Sequence, residues 1–381
     1  MSKKTLFIIL CVVAFVGSLG ISYLLFSKVG AKNVAVAPPV PGANGQVAFD
    51  QSLPKTQACP LNGVLYSKQQ EAWWEQHRPL GVMIENHVDA RPQSGINEAD
   101  VTYEAVAEGG ITRTLNVFYC QNYAQVGPVR SARTYFLDFI SEYGDHPLYA
   151  HVGGANTPGP ANALGQIEDY GWDNYNNMDQ FSIGFPTFWR DYNRLGHPAA
   201  TEHTMYSTTD KLLAVAKTRG LTNVAKDGTP WTTGFVPYTF KSDSPSASAQ
   251  TIHLEFWGDN DYNVDWKYDP KTDQYFRNNG GIAHIDRDTG KQLTAKDVIV
   301  IYMDESHAND GYEGNAHLLY GDIGSGKAIV FQDGKEIKGT WNKASRTART
   351  IIKDSTGKEI SFNRGKLWFE ILPTYGVVSV K

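Results

Sequence analysis

Charge is threaded through the apolar segment between Glu98 and Tyr135 in a way that few folds can accommodate. Two carboxylates four apart (Glu104, Glu108) and three arginines (Arg113, Arg130, Arg133) sit among the strand-like runs 101–107 and 114–119. Turns at Gly109-Gly110 and Gly127-Pro128 punctuate them. Ionised side chains are rarely fully buried unless paired. Such a segment must therefore pair its charges inside or open a pocket at the strand ends. In a strand, positions four apart face the same side. Glu104 and Glu108 are thus expected to converge, with Glu108 at the rim beside the glycine turn.

The remaining pattern defines the architecture. Residues 5–26, from Thr5 to Phe26, carry no charge over 22 positions, enough for one helix to span a bilayer. The run is too long for a standard cleaved signal, although Val29-Gly30-Ala31 loosely resembles a processing site. An uncleaved single-pass anchor with the bulk of the chain outside the cytoplasm is the reading adopted. Residues 27–57, rich in Ala, Pro, Gly and Asn at 35–57, read as a flexible tether. Residues 58–240 alternate strands (80–85, 101–107, 114–119, 147–152) with helical patterns (131–143, 208–218), which predicts an α/β layered domain. A Ser/Pro/Ala-rich stretch at 242–249 follows. Residues 250–376 then show short strands joined by Asn279-Gly280, Thr289-Gly290 and Asp333-Gly334 turns, a mainly β domain. Overall the class is α+β. Cys59 and Cys120 both fall in the exported part, and an even pair there favours a disulfide.

The chain resembles the YerB-like family of bacterial exported proteins, a domain-of-unknown-function family with N- and C-terminal domains. The strings that carry the resemblance are Arg91-Pro92-Gln93-Ser94-Gly95, Glu108-Gly109-Gly110-Ile111-Thr112-Arg113, Gly127-Pro128-Val129-Arg130-Ser131-Ala132-Arg133 and His151-Val152-Gly153-Gly154. In the second half they are Lys296-Asp297-Val298, Gly339-Thr340-Trp341 and Phe362-Asn363-Arg364-Gly365. The resemblance implies a two-domain exported architecture and no established activity. It also implies that lipid-anchored members are common, from which this chain departs through its apolar N-terminal run.

Arg130 and Arg133 flank Ser131-Ala132. A helix starting near Ser131 would add free backbone N–H groups to the guanidinium forks, a combination suited to phosphate or carboxylate. The competing reading has both arginines locking Glu104 and Glu108 inside the fold. His151 ends a strand before Gly153-Gly154, where α/β sheets often place ligands. The expected ligand-binding set is Glu104, Glu108, Arg113, Arg130, Ser131, Arg133 and His151. No metal motif and no cofactor fingerprint stands out: Gly321–Lys327 lacks the Ser/Thr of a phosphate-binding loop. A net charge of −5 gives no reason to expect nucleic acid. The preferred function is binding of an anionic cell-envelope ligand or a wall-assembly partner. A transferase or hydrolase acting on such a component, and a scaffold without a small-molecule site, are the alternatives.

Overall fold

β-branched and aromatic runs form the strands. The computed structural model describes residues 2–5, 40–41, 47–248 and 250–381. In chain order the main strands are β1 (Leu80–Glu85), β2 (Val101–Glu108), β3 (Ile111–Phe118), β4 (Leu148–His151), β5 (Asn177–Asp179), β6 (Gln250–Glu255) and β7 (Val264–Asp269). They continue as β8 (Gln274–Asn279), β9 (Asp297–Met303), β10 (Gly324–Gln332), β11 (Lys335–Lys343), β12 (Ile351–Asp354), β13 (Leu367–Pro373) and β14 (Val377–Val380). The helices are α1 (Lys68–Trp74), α2 (Thr134–Ile140), α3 (Ala163–Asp169), α4 (Gln180–Ile183) and α5 (Thr209–Thr218). The expected mixture of strand and helix is thus present, richer in strand towards the C-terminus.

Ten strands make one sheet in the order β12-β11-β10-β9-β13-β2-β3-β1-β4-β5. The sheet crosses from one half of the sequence to the other. β13, near the C-terminus, pairs parallel with β2, so that Leu367 lies beside Val101 and Glu370 beside Glu104. A six-stranded sheet contains β6, β7, β8 and β14. It covers one face of this seam, where Trp266 meets Trp368 edge to face at 5.1 Å. α2 covers the other face, with Phe139 stacked on Tyr103 at 4.9 Å. The Ser-rich stretch is held down: the Ser244 N–H donates to Asp333 Oδ1 (2.9 Å) and the Ser246 N–H to Asp333 O (2.8 Å).

Structure begins earlier than the tether expectation allowed. Phe49 packs on Trp73 at 5.4 Å, the Asp50 N–H donates to Gln69 (2.8 Å), and Lys55–Ala58 pairs with Leu65–Ser67. The end of the expected tether is therefore docked, because its aromatic and polar groups find partners on α1. Cys59 and Cys120 form the disulfide, linking this docked segment to the end of β3. The buried Asp100 carboxylate accepts the Tyr119 and Cys120 N–H groups beside it (2.7 and 2.9 Å). Among the described residues no helix is long and apolar enough to cross a membrane. The expected anchor at 5–26 lies, beyond Thr5, outside them.

Candidate functional site

The two glutamates do not converge, and a single residue is the reason. Alternation on β2 puts Thr102 and Glu104 on one face and Tyr103 and Ala105 on the other. The register against β3 slips between Val106 and Glu108. That bulge turns Glu108 onto the Tyr103 face, away from Glu104. The expected pairing of Glu104 with Glu108 is corrected accordingly.

Glu104 is fully buried beneath the second sheet. Its carboxylate lies 2.8 Å from Arg277 Nη2 and accepts from the Thr112 hydroxyl (2.7 Å). Glu370, beside it across the seam, is 3.4 Å from Arg277 Nη1 and accepts from Trp266 Nε1 (2.7 Å). Burial, and then the neighbouring Glu104, pushes Glu370 up to about 8. The Arg277 guanidinium lies over the Trp368 and Trp266 rings (4.8 and 5.5 Å) and donates to His284 Nδ1 (3.1 Å). His284 Nε2 then faces Gln93 Oε1 (2.7 Å) as the donor. Burial and the adjacent Arg277 hold that imidazole well below its ordinary range, hence neutral. Glu104, Glu370 and Arg277 make a buried set. It ties the halves of the chain together and offers nothing to solvent.

The Glu108 cluster is a second tie. Arg113 Nη2 reaches Glu108 at 3.3 Å, Arg133 pairs with the same carboxylate, and Arg113 Nη1 donates to Ser131 O (2.9 Å). Both arginines are buried, and burial lowers both from their ordinary range. Arg133 occupies the N-cap of α2, so the helix starts at Thr134 and runs seven residues. The expectation of a helix opening at Ser131 is therefore corrected. Residues 129–132 run as extended backbone, bridged to Ile84 and Gly154. The Arg130 N–H donates to Met83 O (3.0 Å) and the Ala132 N–H to Gly153 O (2.9 Å).

Arg130 differs from its neighbours. Its Nε is 3.2 Å from Glu85 Oε1, and its side chain is 29% exposed. It lines an open cleft of about 620 Å³ together with Ser131, Asn156, Asp179, Phe181, Arg190 and Glu202. The other oxygen of Glu85 bonds His203 Nδ1 (2.9 Å). That bond, outweighing partial burial, raises the His203 pKa. His203 stacks on His87 with centroids 4.8 Å apart and planes at 14°. Asp89 completes a group of possible metal ligands there. Nearly parallel rings keep their in-plane lone pairs in separate planes, so this geometry is a stack and not a coordination sphere. Among the described residues the Ser131 hydroxyl has no hydrogen-bond partner. His151 is fully buried, its ring nitrogens bonded to Gly153 O (2.7 Å) and Asn177 Oδ1 (2.6 Å). It supports the cleft wall from behind.

Of the expected set, the structure brings Arg130 and Ser131 to the cleft, sets His151 behind its wall, gathers Glu108, Arg113 and Arg133 into an internal ion cluster, and separates Glu104 from both. Glu85, Arg190, Glu202, His203, Arg277 and Glu370 were not anticipated in these roles. Glu370 carried a readable signal, a lone carboxylate in the apolar run Leu367–Pro373. Arg190 and Glu202 lie in an irregular region whose approach to Arg130 no periodicity encodes.

A large mixed sheet shared by two sequence segments, with a cleft where loops meet beside it, defines a two-segment α/β protein with an open, mixed-charge cavity at Arg130. Residues 63–222 match the family described as protein of unknown function (DUF3048) N-terminal domain, and residues 252–369 match its C-terminal domain. The chain belongs to this DUF3048 family. A Bacillus subtilis (strain 168) protein, YerB, described as a candidate lipoprotein, is 30% identical over 308 residues, which cover 80% of this chain and 84% of that protein. The crystal structure of the Bacillus subtilis YerB protein superposes with a TM-score of 0.69 at 25% identity, covering 85% of this chain and all of that one.

Proposed function

We propose that this is a membrane-associated extracytoplasmic protein that binds an anionic component of the cell envelope in the cleft at Arg130. The carrying observation is the contrast among three arginines. Arg113 and Arg133 are buried on Glu108, whereas Arg130 keeps part of its guanidinium in an open cavity with Arg190 close by. A partly exposed guanidinium retains Nη donors for a phosphate or carboxylate and can engage two oxygens at once. The anionic group can be free or presented by a wall-assembly protein. Location rests on separate support. The relative is described as a lipoprotein, the disulfide suits an oxidising compartment, and residues 5–26 suit a single-pass anchor.

The test is a calorimetric titration of the full chain in detergent with poly(glycerol phosphate) and with a carboxylated amino-sugar disaccharide. Arg130→Ala should weaken binding of the preferred ligand by about 1.5–3 kcal/mol. Unchanged affinity in that variant would place binding outside the Arg130 cleft and overturn this reading.

A further inference from the structure

We infer that the anionic ligand is a saccharide, and that Phe181 is the platform on which its ring stacks. This rests on the reading of the Arg130 cleft as the binding site. Phe181 is 75% exposed and lines the same cleft. It sits on α4, directly after Asp179 and Gln180. Its seat is prepared by Gly153, whose φ of +54° suits glycine. A Cβ at that position would come within 3.1 Å of Phe181 Cε2. The bare backbone thus lets the ring lie against the cleft wall.

The remaining lining fits a sugar better than a simple anion. Two guanidinium groups (Arg130, Arg190), two carboxylates (Asp179, Glu202), the Asn156 amide and the Ser131 hydroxyl mix donors with acceptors and balance in charge. A phosphodiester only accepts hydrogen bonds and leaves the acceptors of Asp179, Glu202 and Asn156 without a donor. Sugar hydroxyls both donate and accept, so this set can satisfy them while a guanidinium takes the anionic substituent. The apolar C–H face of a pyranose then needs a flat hydrophobic partner, which is what Phe181 offers. The cavity also lies within the roughly 300–1,000 Å³ typical of small-ligand sites, far beyond the need of one phosphate.

The full chain in detergent is titrated with two probes, a carboxylated amino-sugar disaccharide and sugar-free poly(glycerol phosphate), as wild type, Phe181→Ala, Phe181→Trp and Arg130→Ala. The wild type should prefer the disaccharide. Phe181→Ala should weaken disaccharide binding by about tenfold and leave the sugar-free probe unchanged, while Phe181→Trp restores affinity. Arg130→Ala should weaken both probes. Disaccharide affinity unaffected by Phe181→Ala, or a wild-type preference for the sugar-free probe, overturns the saccharide inference while leaving the anion site standing. No effect of Arg130→Ala on either probe, or no binding of either probe to the wild type, overturns the site itself.

Discussion

Arg130 and Arg133 are three residues apart, yet one lines the open cleft and the other is buried on Glu108. Removing Arg130 leaves Glu85 with His203 as a partner. Glu85 is itself buried but keeps that bond and lies near the Arg113 charge, so Arg130→Ala should cost about 1 kcal/mol. Removing Arg133 leaves Glu108, 24% exposed, with Arg113 alone. Arg133→Ala should cost about 1.5–3 kcal/mol, the range for hydrogen bonds to charged groups. Urea denaturation of both variants checks this, and equal losses would contradict the assignment. Glu370 provides a pH test. Its folded-state pKa is raised from 4.5 to about 8. The folded protein thus holds a proton that the unfolded chain releases, so this group's contribution is complete below about 4.5 and is lost as pH rises towards 8. The slope for one such proton is at most about 1.4 kcal/mol per pH unit. Glu370→Gln mimics the protonated acid and should flatten the fall in stability between pH 5 and 8. An unaltered pH profile would show that Glu370 is already ionised in the folded protein. Sequence alone exposed the presence of buried charge between Glu98 and Tyr135 but not its pairing. Arg277, more than 150 positions away, is brought to Glu104 only by the packing of the two sheets.

Most elements were legible because their periodicities are strong. The helix predicted at 208–218 is observed at Thr209–Thr218, with the Thr208 side chain accepting the Lys211 N–H at its N-terminus. The Asp333-Gly334 turn joins β10 to β11 as expected. What failed was a shift of a residue or a few. The bulge before Glu108 inverts one side chain, and α2 begins three residues later than its apolar spacing suggested. Both departures follow from Glu108 capturing Arg113 and Arg133, a tertiary demand that local pattern does not contain. The disulfide belongs to this scale as well. It spans 61 residues and clamps the docked N-terminal segment to the end of β3. By chain entropy such a closure contributes about 4 kcal/mol. Thiol titration of the unfolded, unreduced protein should find neither Cys59 nor Cys120, and reduction should lower the urea midpoint. Two free thiols at those positions would contradict the pairing.

Across the whole molecule the two family segments share one sheet, and the seam between β2 and β13 is where Glu104, Glu370 and Arg277 meet. Residues 58–240 expressed alone would lack both β13 and Arg277. They would expose the edge of β2 and the apolar face that the second sheet covers, losing the burial that holds the seam together. This fragment should show no cooperative unfolding transition, whereas the full chain should unfold as a unit. A fragment that melts cooperatively would show that the segments are energetically independent. The two-part pattern was legible as a change from mixed to mainly β composition. The shared sheet was not, because parallel pairing between strands more than 250 positions apart leaves no local trace. The overall charge of −5 gives an anion no long-range attraction, so the proposed recognition has to be local to the cleft. The most direct measurement is NMR observation of the arginine Nε–Hε signals, assigned by substitution, during titration with the anionic saccharide. The Arg130 signal should move in a saturable way while those of Arg133 and Arg277 stay fixed. A silent Arg130, with ligand bound and shifts elsewhere, would contradict the account.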